Sequence, residues 1–575
     1  MPRTDLVKQE ATRFLGVNLR QDRMDLADEE VAKAVNADFN TTVGTILLRL
    51  GKTKQFTSSL SDLVIRFLAK INSKRYQVAG QSLYRDQAVI INGLLSSDLK
   101  TTVIPYRPLN DTSIWAFIAD GSLMRKDDGT NTYNWGIAAP TATPGVAAGG
   151  GTGLTGSYKV KFTYIRKTGS SVAHESSPSP ASATQTLANQ DLSITGMTAS
   201  GDAQVTHKRV YRTVSGGALY LFDQEITNAT TTATSTQADS ALGSAVENDN
   251  DVPTNNTWAA EYNETIFLLG NSANPQFLYF SKRLRPESVP NHIEIGNADD
   301  PLLCAISISG VLGVFTRLTK YRVTGNASSG YVPFQHLSRR GTPSPYAAIA
   351  TEYGIVFPAK DGVYSTNLMG PDIQIADNIL PLFIGETVNG LSPINWTQAA
   401  KFRGTAFKNK YYFSYASGSS AQPDKVAVYS HDTKKWYFFD MPVTAMMIEE
   451  DIDDLVTGST DGFVYVLEDG STDAGSNIAL DVETKDFFGQ VPHGRKLFFF
   501  FRVDANVPSG TLNAGFYIDG SLKRTASITG NRTKLLLRLP DEAMGYQWRL
   551  NFTYTGSGRV AIYGCAAIWL PLSMA

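Results

Sequence analysis

Short apolar runs recur along the second half of the chain at a nearly constant interval. This spacing constrains the fold more than any single motif. With Phe267, Val314, Val356, Tyr412 and Val456 as centres, the steps are 47, 42, 56 and 44 residues. Each interval holds about four strand-like segments parted by turn residues. A period of roughly 40–50 residues with about four short strands is the signature of a β-propeller blade. The repeats share texture rather than residues. Earlier runs, VIRFLAKI with KRYQVAG and then WAFIADGSLMR, fit blades that precede a break.

Asp-Gly pairs at Asp120-Gly121, Asp361-Gly362 and Asp461-Gly462 separate apolar runs. They predict hairpins with type I′ turns, in which both central residues take positive φ. Gly, Ser, Thr, Asn and Tyr are abundant, which favours strands and turns over helices. One short helix is predicted in MDLADEEVAKAVNADF. Asp25 or Asp28 would cap it, Glu29 and Glu30 would occupy its first turn, and Leu26, Val31 and Val35 would share a face.

The break is long. Phe117 and Phe267 are 150 residues apart, and one blade leaves about 105 of these for a further small domain. APTATPGVAAGGGTG reads as the linker into it. Beyond the linker, Tyr158, Val160, Phe162 and Tyr164 alternate with Lys159, Lys161 and Thr163, the pattern of a half-buried strand. A Ser/Pro-rich bend, HESSPSPAS, and an R-V-Y-R strand follow. These features resemble the fibronectin type III-like sandwiches inserted in many phage virion proteins. From about Ser476 the strands lengthen, and Leu550, Phe552 and Tyr554 oppose Asn551 and Thr553, as in a β-sandwich. The expected organisation is 1–138, an N-terminal segment and first blades; 139–253, the inserted sandwich; 254–475, the remaining blades; and 476–575, a C-terminal sandwich. The predicted fold class is all-β: a propeller of six to eight blades carrying both sandwiches.

The chain of 575 residues is 42% hydrophobic and 18% charged, the balance of a globular protein of several domains. Its formal charge of −2 lacks the basic surplus that phosphate neutralisation requires. The last 100 residues hold 11 Lys/Arg against 7 Asp/Glu, a surplus of four, so the remainder carries −6; the C-terminal domain is expected to meet an acidic neighbour. The first residues lack the apolar core of a signal peptide, and the longest apolar stretch, PLLCAISISGVLGVF, is too short to span a membrane.

Few residues suggest chemistry. Cys304 and Cys565 are far apart and read as buried small side chains. GTILLRLGKT, Gly44 to Thr53, has six residues between its glycines where a phosphate loop has four; it reads as a hairpin strand followed by a Gly-Lys turn. His174, His207, His292, His336, His431 and His493 lack metal-ligand spacing and read as surface or turn residues. Asp120, Asp127, Asp128, Asp361, Asp453, Asp454 and Asp461 are the carboxylates a propeller glycosidase would draw on, although Ser459-Thr460-Asp461-Gly462 lacks the spacer of a sialidase box. No catalytic, cofactor-binding or metal-binding residue is nominated. Arg339-Arg340 and Lys282, Arg283 and Arg285 are small basic clusters that read as solvated loop charge, with a DNA path or a salt bridge to a neighbouring subunit as the alternative. Trp436 to Phe439 require a strand covered on both faces, and Phe498 to Phe501 suit either a core or a subunit interface.

The opening GVNLRQDRMDLADEEVAKAVNADFNTTVGTILLRLGKTKQF resembles the start of podovirus tail proteins. AAEYNETIFLLGNSANPQFLYFSK, GVLGVFTRLTKYRVTG and GTPSPYAAIATEYGIVFPAKDGVYSTN are similar to that family's blade strands and D-G-V-Y hairpin. The resemblance covers most of the chain through degenerate patterns. It implies a non-enzymatic tail hub or nozzle, made in the bacterial cytoplasm and built into the virion tail. Such a protein forms a homo-hexameric ring below the portal and adaptor, anchors fibres or spikes, and passes genomic DNA without specific binding. It implies no cofactor. The competing readings are a host-glycan adsorption protein and a propeller enzyme that cleaves glycans.

Overall fold

The computed structural model describes residues 6–60, 63–93, 100–489 and 493–572. The fold is all-β: a β-propeller bearing an inserted fibronectin type III-like sandwich and a C-terminal β-sandwich. It divides into two compact units. One contains Met1–Leu68, Gln77–Gly80 and Leu337–Ala575; the other contains Ala69–Tyr76 and Gln81–His336.

Within the second unit, three four-stranded antiparallel meanders have the blade pattern: 102–134, 258–294 and 302–335. The first unit holds three more, 349–374, 403–440 and 445–467, the last completed by the N-terminal strand Lys52–Lys54, which pairs with Val464–Leu467. A seventh sheet, 65–92, is divided between the units. All five spacing anchors lie on the second strand of their sheet. That strand is flanked on both sides, so it buries both faces and stands out as an apolar run. Thr265–Leu269, Val311–Thr316, Gly354–Ala359 and Lys410–Tyr415 are buried at every position.

The three Asp-Gly hairpins exist, but they are not type I′. Gly121, Gly362 and Gly462 take positive φ, and none of the three aspartates does. At two of them the carboxylate braces a longer turn: Asp120 accepts from the N–H groups of Ser122 and Leu123, and Asp461 from that of Phe463. At the third the loop is Lys360-Asp361, and Gly362 already begins the next strand. Two-residue turns with positive φ at both positions fall at Asp86-Gln87, Asn263-Glu264, Ser309-Gly310, Lys408-Asn409 and Asp519-Gly520.

The predicted N-terminal helix is absent. Residues 21–29 form turns, and Glu30–Val35 is a strand. That strand pairs in parallel with Gly16–Val17 and antiparallel with Ile478–Thr484. Val31, Ala32 and Ala34 are fully buried, so burial on both faces outweighs helix propensity. Asp28 caps nothing and lies 3.0 Å from Lys485 Nζ. Within the Gly44–Thr53 stretch, Ile46–Leu48 is a hairpin strand, paired antiparallel with Ala37–Asp38. It also pairs with Ala561–Pro571, and Lys52–Lys54 leaves to complete the last blade.

The inserted sandwich packs Tyr158, Val160, Phe162, Tyr164, Leu187, Ile194 and Val210 into its core. Its Ser/Pro-rich segment is more than a bend. Ser176, Ser179 and Ser182 each bond the strand Val160–Thr168 twice: the backbone N–H donates to the carbonyls of Tyr164, Phe162 and Val160, and the hydroxyls accept from the same residues' N–H groups. Prolines between them prevent the segment from offering a pairing edge of its own.

In the C-terminal sandwich, Lys496–Ile518 pairs first with Ala561–Pro571 and then with Trp548–Gly556, its register shifting between Val507 and Leu512. One strand thus serves both sheets, which lets Phe501 and Phe516 stack across the core at 5.1 Å. Phe498 and Phe501 are buried whereas Phe499 and Phe500 are half-buried, because a register shift at Phe499 turns residues three apart to one side. Trp436, Tyr437, Phe438 and Phe439 are all buried in one continuous core.

Candidate functional site

The densest polar arrangement lies in the second unit, where the inserted sandwich meets two blades. Arg166 comes from the sandwich strand Val160–Thr168, Asp111 and Lys126 from the 102–134 blade, and Glu287 from the 258–294 blade. Arg166 grips Asp111 with two bonds of 3.1 and 2.8 Å and reaches Glu287 Oε1 at 2.8 Å. Lys126 Nζ sits 2.5 Å from Glu287 Oε2, as an ion pair rather than an aligned hydrogen bond. Both cations lie 4.8 Å from the ring centre of Trp115. Side-chain exposure is 7% or less at all four charged groups.

Burial opposes ionisation of Glu287, but Lys126 and Arg166 outweigh it and hold the carboxyl below its ordinary range. Burial also pushes Lys126 down to about 8 against the pull of Glu287. His174 lies 4.0 Å from Glu287, yet burial pushes it down to about 4, so the ring is neutral near pH 7. Its Nε2 accepts the N–H of Ile137 at 3.4 Å. Two cations therefore face two anions, an arrangement that fixes geometry.

A polar cleft of about 480 Å³ opens beside this centre, lined by His174, Glu175, Arg209, Tyr211, Asn110 and Arg285 among others. Glu175 accepts from Thr163 and Tyr211 at 2.6 Å each, with Arg209 at 3.3 Å. Arg285 is paired to Glu247 at 2.7 Å.

The residues singled out by sequence are dispersed. Asp127 is buried beneath Arg85, Tyr76 and Thr132; Asp361 holds Arg340; Asp453 lies 3.3 Å from Lys408; and Asp461 accepts from Tyr465. Asp120 and Asp128 brace turns, and Asp454 begins a blade strand. The basic clusters are engaged within the chain: Lys282 with Glu247 and Asp249, Arg283 with Glu264, and Arg340 with Asp361. Reading every histidine as a surface or turn residue was wrong for His174 and His336, which are 5% and 9% exposed. His292 stacks on Phe277 and His431 on Tyr353. Among the described residues no group of three or more His, Cys, Asp or Glu is placed to hold a metal. Cys304 and Cys565 are buried and unpaired with each other, and burial raises both thiols, Cys565 to about 12. No helix among the described residues is long and apolar enough to cross a membrane.

Sequence reasoning missed Lys126, Arg166 and Glu287 as a group. Arg166 is a charge at the end of the largely buried run Val160–Ile165, but Lys126 sits in the charged run LMRKDD and Glu287 in a loop, so nothing local marks the three as partners.

The architecture defines a propeller-containing, all-β protein with two sandwich domains. No family model matches the chain, and no curated protein matches it. Among solved structures, an exo-β-1,3-galactanase from Phanerochaete chrysosporium is similar at 9% identity and a TM-score of 0.21, over 54% of this chain and 94% of its own. YCF48 bound to D1 peptide is similar at 9% identity and a TM-score of 0.28, over 73% of this chain and 97% of its own. The extracellular domain of a hybrid two-component system from B. thetaiotaomicron gives 8% identity and a TM-score of 0.27, over 89% and 59%. No function is transferred from these likenesses.

Proposed function

We propose that the chain is a non-enzymatic structural subunit of a short-tailed bacteriophage virion. It would form the tail hub or nozzle: a ring of six copies continuing the DNA channel below the portal and adaptor and holding fibres or spikes. The observation that carries this reading is where the family-like stretches fall. Those at 259–282, 310–325 and 341–367 supply strands of three successive blade sheets. Two features are compatible with it. The buried charge centre ties the inserted sandwich to its blades, as a load-bearing part needs. Lys282, Arg283 and Arg340 are spent on carboxylates of the same chain, which suits a passage through which DNA slides.

The test is the native mass and negative-stain image of the purified protein at several concentrations. A closed ring of about six subunits, with a hole at least on the order of 20 Å wide to admit duplex DNA, is the expected result. A compact trimer would sink the reading.

The polar cleft favours one second reading, adsorption to a host glycan. Binding of host polysaccharide to the isolated protein, lost on Arg209→Ala, would support it.

A further inference from the structure

The strand Ser521–Arg538 is the open edge of the C-terminal sandwich. Among the described residues it pairs with Lys496–Ile518 and no other strand, so one row of its backbone groups faces outward. It follows its partner round the bend between the two sheets, and Arg524 donates to the carbonyl of Arg538 across that bend. Its sequence, SLKRTASITGNRTKLLLR, holds five cations and no carboxylate. Leu522 and Leu536 stand among these cations, each 52% exposed.

The same unit carries a surface of opposite character. The hairpin loop 450–454, EDIDD, presents Glu450, Asp451 and Asp453 in exposed positions around Ile452, which is 51% exposed. Lys408 approaches Asp453 at 3.3 Å.

We propose that the edge strand Ser521–Arg538 docks on the acidic loop 450–454 of a second copy of this chain. The inference rests on the ring reading above and names its contact. Charge complementarity selects the occupant: a surface with five positive charges and exposed leucines is matched, in the same sequence, by a surface of carboxylates around an exposed isoleucine. Contacts of this head-to-tail kind close a ring when the rotation between copies divides a full turn. Lysines on an edge also deter uncontrolled strand pairing, but that role needs no exposed leucines beside them. A DNA path is disfavoured, because the chain as a whole carries a formal charge of −2 and lacks the basic surplus of a phosphate-gripping protein.

The experiment uses the full chain, Lys523→Glu/Lys534→Glu in one variant and Glu450→Lys/Asp451→Lys in the other. Sedimentation velocity is run over a range of concentrations at low and high salt. The wild type associates, less so at high salt. Each variant, with unchanged circular dichroism and melting, needs at least ten times more protein to assemble. An equal mixture of the two recovers assembly, because each reversed surface meets its reversed complement in an alternating ring. A variant that still forms wild-type rings overturns the proposed contact and leaves the hub reading standing. A mixture that fails to recover, or a wild type that stays monomeric throughout, also overturns it. So does loss of duplex-DNA binding with assembly unchanged, which would assign the edge to nucleic acid.

Discussion

The two sandwich domains are held by opposite means. The inserted sandwich is joined to its blades by charges buried together: Arg166, Asp111, Lys126 and Glu287. The C-terminal sandwich is held by rings. Phe487 stacks on Trp548 at 4.5 Å, Trp548 on Phe516 at 5.7 Å, and Phe516 on Phe501 at 5.1 Å. A buried ion cluster tolerates few geometries, since each partner removed leaves an uncompensated charge. An aromatic core tolerates more arrangements and depends on volume. The first device suits a joint that must hold one angle. The second leaves its outer edge free to carry charge for other purposes.

Glu287→Ala should produce the largest effect, because it strands Lys126 and Arg166 in a dry site. A local loss of about 3–5 kcal/mol is expected. Hydrogen exchange should quicken in Val160–Thr168 and the blade strand Met124–Asp127, with the C-terminal sandwich unchanged. Loss of protection in both regions would show that the contrast between them is false. Trp548→Ala should cost a similar or slightly smaller amount, about 3–5 kcal/mol by cavity formation. Its effect should be insensitive to pH between 4 and 7, and a marked pH dependence would contradict an apolar origin.

Acid sharpens the contrast further. His174 titrates near 4 when folded against an ordinary value of 6.5. The unfolded chain therefore takes up this proton first as pH falls. The stability of the insertion junction is fully present above about 6.5 and declines between 6.5 and 4, by up to about 3 kcal/mol. His174→Gln keeps an acceptor for Ile137 and should flatten that slope in a denaturant series; an unchanged slope would assign it elsewhere. The smallest effect belongs to Lys523→Glu/Lys534→Glu, which should alter stability by less than about 0.5 kcal/mol. A larger loss in chemical denaturation would mean that the edge is part of the fold rather than a surface.

Several of these features are legible in the residues alone. Tyr158, Val160, Phe162 and Tyr164 declare an inward face by alternation, and they form that face. The run Trp436 to Phe439 requires cover on both sides and has it. The segment around Val31 misleads, because its apolar spacing suits a helix face as well as a strand buried on both faces. The Asp-Gly pairs locate hairpins but not turn type, since where the loop begins and how long it runs decide whether the aspartate must turn left-handed.

By itself the sequence determined the β texture and the blade interval, because these depend on side-chain alternation and turn chemistry within a few residues. Only the tertiary structure decided that Lys52–Lys54 completes the last blade and that Val7–Ala11 pairs with Ala561–Pro571. It alone brought Lys126, Arg166 and Glu287 into one dry centre. Those partners are separated by tens to hundreds of residues. Nothing local distinguishes a lysine that finds its carboxylate in the interior from one that stays in water.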